Sequence, residues 1–469
     1  MSRISIANLK KTFYYLKRNG LRDTCLAALE RLRQNEYADW KYEELSEEDA
    51  ASQRGRKWER KIKFSILVPA YRTPEAFLRA MTESVLGQTY DCFELIIADA
   101  SGDDSVEKVI STYTDERIVY LRLSENGGIS ANTNAALHAA SGEYIGLLDH
   151  DDLLTEDALY EAALRIEHAE REGWTPGLLY SDEDKCDETG TMFYEPHLKE
   201  EFNLDLLLSN NYICHFMILE SSLMREAGFR SAYDGAQDYD LALQCVRRIL
   251  EQEVQKQTEQ ERPEQKKSDW QRRIVHIPRV LYHWRCHQGS TAVNPRSKSY
   301  AYEAGGRAVQ TFLDDLGWQG SVSPSGHLGF YRTEYGDSVF ESRPDLGAMG
   351  GPLWGKGKKM TGGIYGPDGT CPYEGLRKGF SGYMHRAAMQ QDAYAVDIRN
   401  MRLRRELWEL YEQVNRNRDG KRQLREEEYR SRSLRLAEKI HEKGYRILWD
   451  PGYDNGGESN SDHSKFKRC

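Results

Sequence analysis

From Phe64 onward the chain alternates short apolar runs with longer amphipathic segments. Residues 64–68, 93–98, 118–123 and 144–148 are almost continuously apolar, while 74–88, 105–113 and 132–140 place apolar residues at helical spacing. Apolar runs without polar alternation predict strands covered on both faces. A strand–helix–strand unit repeating roughly every 25 to 30 residues predicts right-handed crossovers and a mainly parallel sheet. Further on, the pattern predicts a helix over 155–172, an acidic turn at 181–188, an apolar run at 212–219, a helix from about Asp238 and a strand over 275–284. Residues 251–273 are dominated by Glu, Gln, Lys and Arg and read as a solvated helix extension or loop. Past about Gly326 glycine becomes frequent and the alternation weakens, and 450–469 is polar enough to be disordered.

Ahead of this pattern, residues 1–35 carry eight Lys or Arg against two acids, in a chain of 469 residues whose net charge is -10. Ile6, Leu9, Phe13 and Leu16, and after Gly20 also Leu21, Cys25, Leu29 and Leu32, recur at helical spacing. A basic amphipathic pair of this kind either docks on the domain behind it or lies on an anionic membrane surface; docking is the preferred expectation. No apolar run approaches the ~18 to 20 residues that span a bilayer, and residues 1–19 lack a secretory leader pattern. The expectation is a cytoplasmic chain, peripheral at most to the inner face of the membrane. The acidic balance argues against nucleic acid as partner. The eight cysteines include no Cys-x-x-Cys pair and no Cys/His set at metal-ligand spacing, so neither a disulfide framework nor a zinc module is expected.

In an open parallel sheet, ligands bind beyond the carboxyl ends of the strands. Here those ends are polar: Pro69-Ala-Tyr-Arg72, Asp99-Ala-Ser-Gly-Asp103, Glu125-Asn-Gly-Gly128 and Asp149-His-Asp-Asp152. Three carboxylates within four residues repel one another unless they hold a cation, and oxygen ligands suit Mg²⁺ or Mn²⁺. Asp149 and Asp151 are therefore candidate metal ligands, whereas Asp152 reads as the N-cap of a helix starting at Leu153. Asp99 can accept hydrogen bonds from a base or ribose, and Gly127 and Gly128 with Asn132 can let the backbone approach a nucleotide. No dinucleotide-binding Gly-x-Gly-x-x-Gly and no Gly-Lys-Ser/Thr phosphate loop is present.

Val68-Pro-Ala-Tyr71, Asp99-Ala-Ser-Gly-Asp103, Asn126-Gly-Gly128, Leu148-Asp-His-Asp-Asp152, Gly235-Ala-Gln-Asp-Tyr-Asp-Leu241 and Tyr282-His-Trp-Arg-Cys-His287 stand in one order across roughly residues 61–300. In this they resemble family 2 glycosyltransferases of GT-A fold. Tyr180-Ser-Asp-Glu-Asp-Lys185, Glu195-Pro-His197 and Asn211-Tyr-Ile-Cys-His215 look like the branch that builds bacterial O-antigen and other surface polysaccharides, often with rhamnosyltransferase names. The resemblance implies a mainly parallel, Rossmann-like α/β sheet flanked by helices, and inverting transfer from a nucleotide-diphosphate sugar to a hydroxyl of a glycan, a lipid-linked one being the expectation, with Mn²⁺ or Mg²⁺ as cofactor. It places Pro69, Tyr71, Asp99, Asn126, Gly128, Asn132, Asp149 and Asp151 around the nucleotide sugar. It makes Asp149, Asp151 and His287 the metal ligands, with His283 the less suitable histidine, and Asp238 the catalytic base. Two positions depart from the pattern: Ala98-Asp99 stands where many members have Asp-Asp, and Gln237 replaces the Glu that commonly precedes the base.

Arg343-Pro-Asp-Leu-Gly-Ala-Met-Gly-Gly351, Tyr365-Gly-Pro-Asp-Gly369 and Glu442-Lys-Gly-Tyr-Arg-Ile-Leu-Trp-Asp-Pro451 look like the latter half of a second such domain, without its nucleotide-binding half and without Asp-x-Asp. The expected organisation is a basic helical lead and linker at 1–60, a catalytic domain at 61–325 and a degenerate partial second transferase-like region at 326–469. Two other functions stay open: a non-catalytic scaffold of a polysaccharide assembly complex, and a sugar-phosphate nucleotidyltransferase. The latter shares a similar sheet but carries a basic Gly-rich loop where Pro69-Ala-Tyr-Arg72 stands here.

Overall fold

The computed structural model describes residues 6–33, 40–259, 269–287, 299–336, 339–416 and 424–455. The side chains of Ile6, Leu9, Phe13 and Leu32, residues 260–268 of the charged insertion and residues 456–469 of the polar tail lie outside the described residues.

Four apolar runs form the parallel strands β1 (Phe64–Ala70), β2 (Phe93–Asp99), β3 (Ile118–Arg122) and β4 (Tyr144–Leu147), ordered β3-β2-β1-β4. Every residue of β1 and β2 is buried, which is why these runs show no polar alternation. Phe64, Ile66 and Val68 face α3 (Glu75–Leu86) and α6 (Ala158–Arg171), in one core with Leu78, Met81, Val85, Leu159 and Ile166. Leu67 faces the opposite core, shared by α5 (Ile129–Ala139) and α9 (Gln237–Glu259) through Ala136, Leu137, Leu241 and Val246. The sheet continues beyond β4 through antiparallel β8 (Met217–Glu220) to β6 (Leu178–Cys186) and β9 (Ile274–Arg285), which run parallel to each other, and ends at β5 (Leu153–Leu154); β7 (Phe193–His197) pairs with β6. This mixed, largely parallel sheet between helical layers has the arrangement expected of a GT-A fold.

Two local expectations are corrected. Residues 181–186 are not a turn but the carboxyl half of β6. Acids survive inside this strand because each has a partner: Asp182 meets His276 (2.8 Å), Glu183 meets His197 (3.2 Å) and Lys199 (3.7 Å), and Asp184 meets His283. Asp152 is not a helix N-cap, because Leu153–Leu154 pair with β9 and α6 starts only at Ala158.

The region beyond 339 holds a second, smaller sheet, ordered Gln391–Asp392, Arg446–Trp449, Leu346–Gly350, Met401–Leu403. Helix Glu426–Glu442 covers it through Leu436, Ala437 and Ile440, packed with Ala348, Ile447 and Trp449. At the other end of the chain, α1 (Ile6–Arg33) bends at Gly20, whose φ of 80° leaves the helical range. Its second arm docks on this smaller region: the buried Glu30 carboxylate accepts from Ser381 N (2.8 Å), Gly382 N (2.6 Å) and Ser381 Oγ (3.1 Å). Among the described side chains, this arm thus packs on the distant C-terminal region. No helix among the described residues is long and apolar enough to cross a membrane.

Candidate active site

The register Ala70↔Asp99 between β1 and β2, and Leu67↔Leu147 between β1 and β4, brings Pro69, Tyr71, Asp99 and Asp149 to one carboxyl edge. Pro69 is buried within β1, and Tyr71 just past it is 42% exposed. Asp99 is buried, accepting from Ser101 N (2.9 Å) through Oδ1 and from Tyr120 Oη (2.8 Å) through Oδ2. The loop before α5 braces itself. Gly127 N donates to Asn132 Oδ1 (3.2 Å), Gly128 N to Asn126 Oδ1 (3.1 Å), and Asn132 Nδ2 to Asn126 Oδ1 (2.9 Å). Both asparagine side chains therefore shape the Gly-Gly turn between β3 and α5.

After β4, carboxylate oxygens of Asp149, Asp151 and Asp152 come within 4.8 Å of one another. Their environments differ. Asp152 is 1% exposed and ties the turn to β9, accepting from Arg285 N (2.7 Å) and from Tyr282 Oη. Burial pushes its carboxyl well above the usual range, with Asp151 and Asp149 adding to the effect. Burial also pushes Asp149 up, helped by the charges of Asp151 and Asp238 and opposed by His215. Asp151 Oδ2 lies 2.9 Å from His287 Nε2, whose ring packs on Phe77 at 5.1 Å. Two carboxylates crowded against their own repulsion, with an imidazole nitrogen beside them, form a donor set that fits Mn²⁺ or Mg²⁺. His283 instead meets Asp184 and the edge of Tyr42 inside the protein, 4.7 Å between ring centres, so it has no part in this set.

Asp238 enters from the first turn of α9. Gln237 uses its side chain locally, Oε1 accepting from Gly235 N (2.9 Å), and Asp240 is buried against Arg230 and Gln244. Asp238 faces the other way, accepting from Asn211 Nδ2 at 3.0 Å. Asn211 Oδ1 is buried and has no hydrogen-bond partner among the described residues.

Glu183, Lys199, His215 and Tyr282 gather beside this cluster, and all four lie in or beside the stretches that carry the resemblance, where no local pattern marks them as partners. His215 stacks on Tyr282 with 4.8 Å between ring centres. Burial alone would lower its pKa, but Glu183 at 3.3 Å and the charges of Asp149 and Asp152 raise it to about 9. Glu183 is correspondingly held well below the usual carboxylate range, burial being outweighed by Lys199, His197 and His215.

Residues 65–228 match the protein-family model described as glycosyl transferase family 2. Over that stretch the chain is similar to family 2 glycosyltransferases. Asp99 and all three clustered acids lie within the matched residues, whereas Asp238 and His287 lie beyond them. An uncharacterised protein of Sinorhizobium fredii is 39% identical over 254 residues, covering 53% of this chain and 25% of that protein. An O-antigen biosynthesis protein of Myxococcus xanthus is 29% identical over 310 residues, covering 63% of this chain and 22% of that one. The chain thus spans about a quarter of the length of these two relatives. Among solved structures, S. aureus TarS in complex with UDP-GlcNAc overlaps 54% of this chain and 66% of its own at 19% identity and a TM-score of 0.39. A mannosyltransferase of Pyrobaculum calidifontis, with GDP-Man and Mn2+, overlaps 63% of this chain and 85% of its own at 16% identity and 0.35.

Proposed function

We propose that this chain transfers a sugar, with inversion, from a nucleotide-diphosphate sugar to a hydroxyl of a lipid-linked glycan during cell-surface polysaccharide synthesis. The observation that carries the reading is the acid cluster at the end of β4, inside the stretch similar to family 2, with His287 beside Asp151 and Asp238 across the edge. A divalent ion held by Asp149, Asp151 and His287 would offset the negative charge that builds up on the departing diphosphate. Asp99 and the backbone of the Gly127-Gly128 turn bind the nucleoside, and Tyr71 offers an exposed ring at the same edge. Asp238 accepts the proton of the acceptor hydroxyl as its oxygen attacks the anomeric carbon from the face opposite the breaking bond to the diphosphate. Asn211 holds the Asp238 carboxylate with its amide N–H and keeps its free carbonyl oxygen for the acceptor.

The membrane side of the reading rests on α1 and on the name of the Myxococcus relative. The arm after Gly20 leaves Leu21 (71%) and Leu29 (49%) exposed together with Cys25, next to exposed Lys17 and Arg22. An apolar stripe edged by cations suits an anionic lipid surface. Residues 326–469 are read as a partial second transferase-like region without turnover of its own.

Thermal-shift screening against UDP-, GDP- and dTDP-sugars with and without Mn²⁺ tests donor and metal together. A rise in Tm that needs both nucleotide and metal is the expected result; no shift with any nucleotide would remove the reading.

A further inference from the structure

The smaller C-terminal region brings no acid cluster of its own among the described residues, yet it grips one segment of the stretch similar to family 2 along its length. Tyr383 takes both ends of a short stretch of backbone, its Oη donating to Pro196 O (2.9 Å) and accepting from Leu198 N (3.0 Å). Arg386 donates to Leu198 O (2.7 Å) and pairs with Glu200 (2.8 Å). Asp392 accepts from Leu204 N (2.8 Å) at the start of α7 (Leu204–Ser209), while its own N–H donates to Asn203 Oδ1 (2.8 Å). Within α7, buried Asp205 is paired with Arg343 (2.7 Å) and Arg446 (2.7 Å), and Arg446 also meets Asp392.

The gripped segment leads straight into the reaction edge. Lys199 Nζ donates to Ile213 O (2.9 Å) and to His215 O, and Asn211, two residues beyond α7, donates to Asp238. The acceptor side of the site is thus a loop whose upstream end is fixed by charges from another part of the chain. A buried guanidinium between two carboxylates holds geometry well, because each group left unpaired would be costly.

We propose that the C-terminal region is a clamp that positions Asn211 and Asp238 for transfer, with Arg446 and Arg343 as positioning residues and α7 as the part they hold. The inference rests on the glycosyl-transfer reading. It gives a transferase-like remnant a task that needs no nucleotide site. Because Glu30 of α1 binds the loop just before Tyr383, the N-terminal helix backs the same clamp.

The test uses the full chain with Mn²⁺ and two readouts: affinity for UDP and GDP, and the rate at which UDP or GDP is released when UDP-GlcNAc or GDP-mannose gives up its sugar to water. Arg446→Met is expected to keep nucleotide affinity within about twofold and to slow release at least about tenfold, since small misplacement of reacting groups is costly. Arg446→Lys is expected to recover most of the rate. Arg386→Met, at the rim of the clamp, provides a milder variant and is expected to slow release by roughly threefold at unchanged affinity. Wild-type rate in Arg446→Met, or rate and affinity falling together in both Met variants, overturns the clamp. Wild type that binds neither nucleotide overturns the glycosyl-transfer reading instead. The clamp is then decided by amide exchange: faster exchange over 203–215 in Arg446→Met, with exchange over 64–99 unchanged, supports it, and unchanged exchange over 203–215 overturns it.

Discussion

Asp151 and Asp152 are neighbours with the same side chain and opposite surroundings, so they should fail differently. Asp151 reaches the edge beside His287, while both oxygens of Asp152 are taken up by Tyr282 and Arg285. Asp151→Asn is expected to weaken Mn²⁺ binding at least about tenfold with little loss of stability. Asp152→Ala is expected to cost roughly 1–3 kcal/mol in urea unfolding, since it leaves a buried hydroxyl and amide unpaired. The sequence made the cluster legible because a strand end in a parallel sheet is where ligands bind. It misread Asp152, because a cap and a cross-strand tie both need only an acid after an apolar run. In the C-terminal region, His385 stacks on His327 at 3.7 Å and bonds Ser381 Oγ at 2.8 Å. Burial, with His327 adding to it, pushes its pKa down to about 3. A depressed histidine contributes stability above its unfolded pKa, near ~6.5, and that stability is lost as pH falls toward the folded value. Tm should therefore drop more steeply between about pH 6.5 and 5 in the wild type than in His385→Gln.

Strands whose pattern burial alone decides are legible in the sequence, and strands that depend on side-chain pairing are not. The strands β1 to β4 were legible because both faces are covered. β6 was hidden because Asp182, Glu183 and Asp184 look like a turn until His276, Lys199, His197 and His283 are seen around them, contributed by segments up to about a hundred residues away. The Gly127-Gly128 turn is legible as a turn, but its rigidity is not. Gly128 has φ 92°, and a Cβ there would come 2.8 Å from Asp234 Oδ2. Gly128→Ala is expected to destabilise by about 1–2 kcal/mol, measured by chemical denaturation, through left-handed strain and this contact together.

For the whole molecule, charge and motif order indicated three parts but not how they meet. The basic lead was expected to dock behind itself, and its second arm reaches the C-terminal region through Glu30, a contact separated by about 350 residues that no local pattern encodes. The Arg343, Arg446, Asp205 and Asp392 network is likewise silent in sequence, since isolated charges in a chain with 30% charged residues carry no sign of their partners. Together these contacts link α1 to the smaller C-terminal region, and that region to α7. Sugar transfer at the carboxyl edge of the sheet with Asp238 as base is tested most directly by comparing the wild type with Asp238→Asn in the full chain. Donor turnover is followed beside Mn²⁺-dependent nucleotide binding. Turnover should fall by roughly 10² to 10⁴ with nucleotide affinity unchanged, the range expected for loss of a positioned base. Turnover at the wild-type rate in Asp238→Asn would contradict that role.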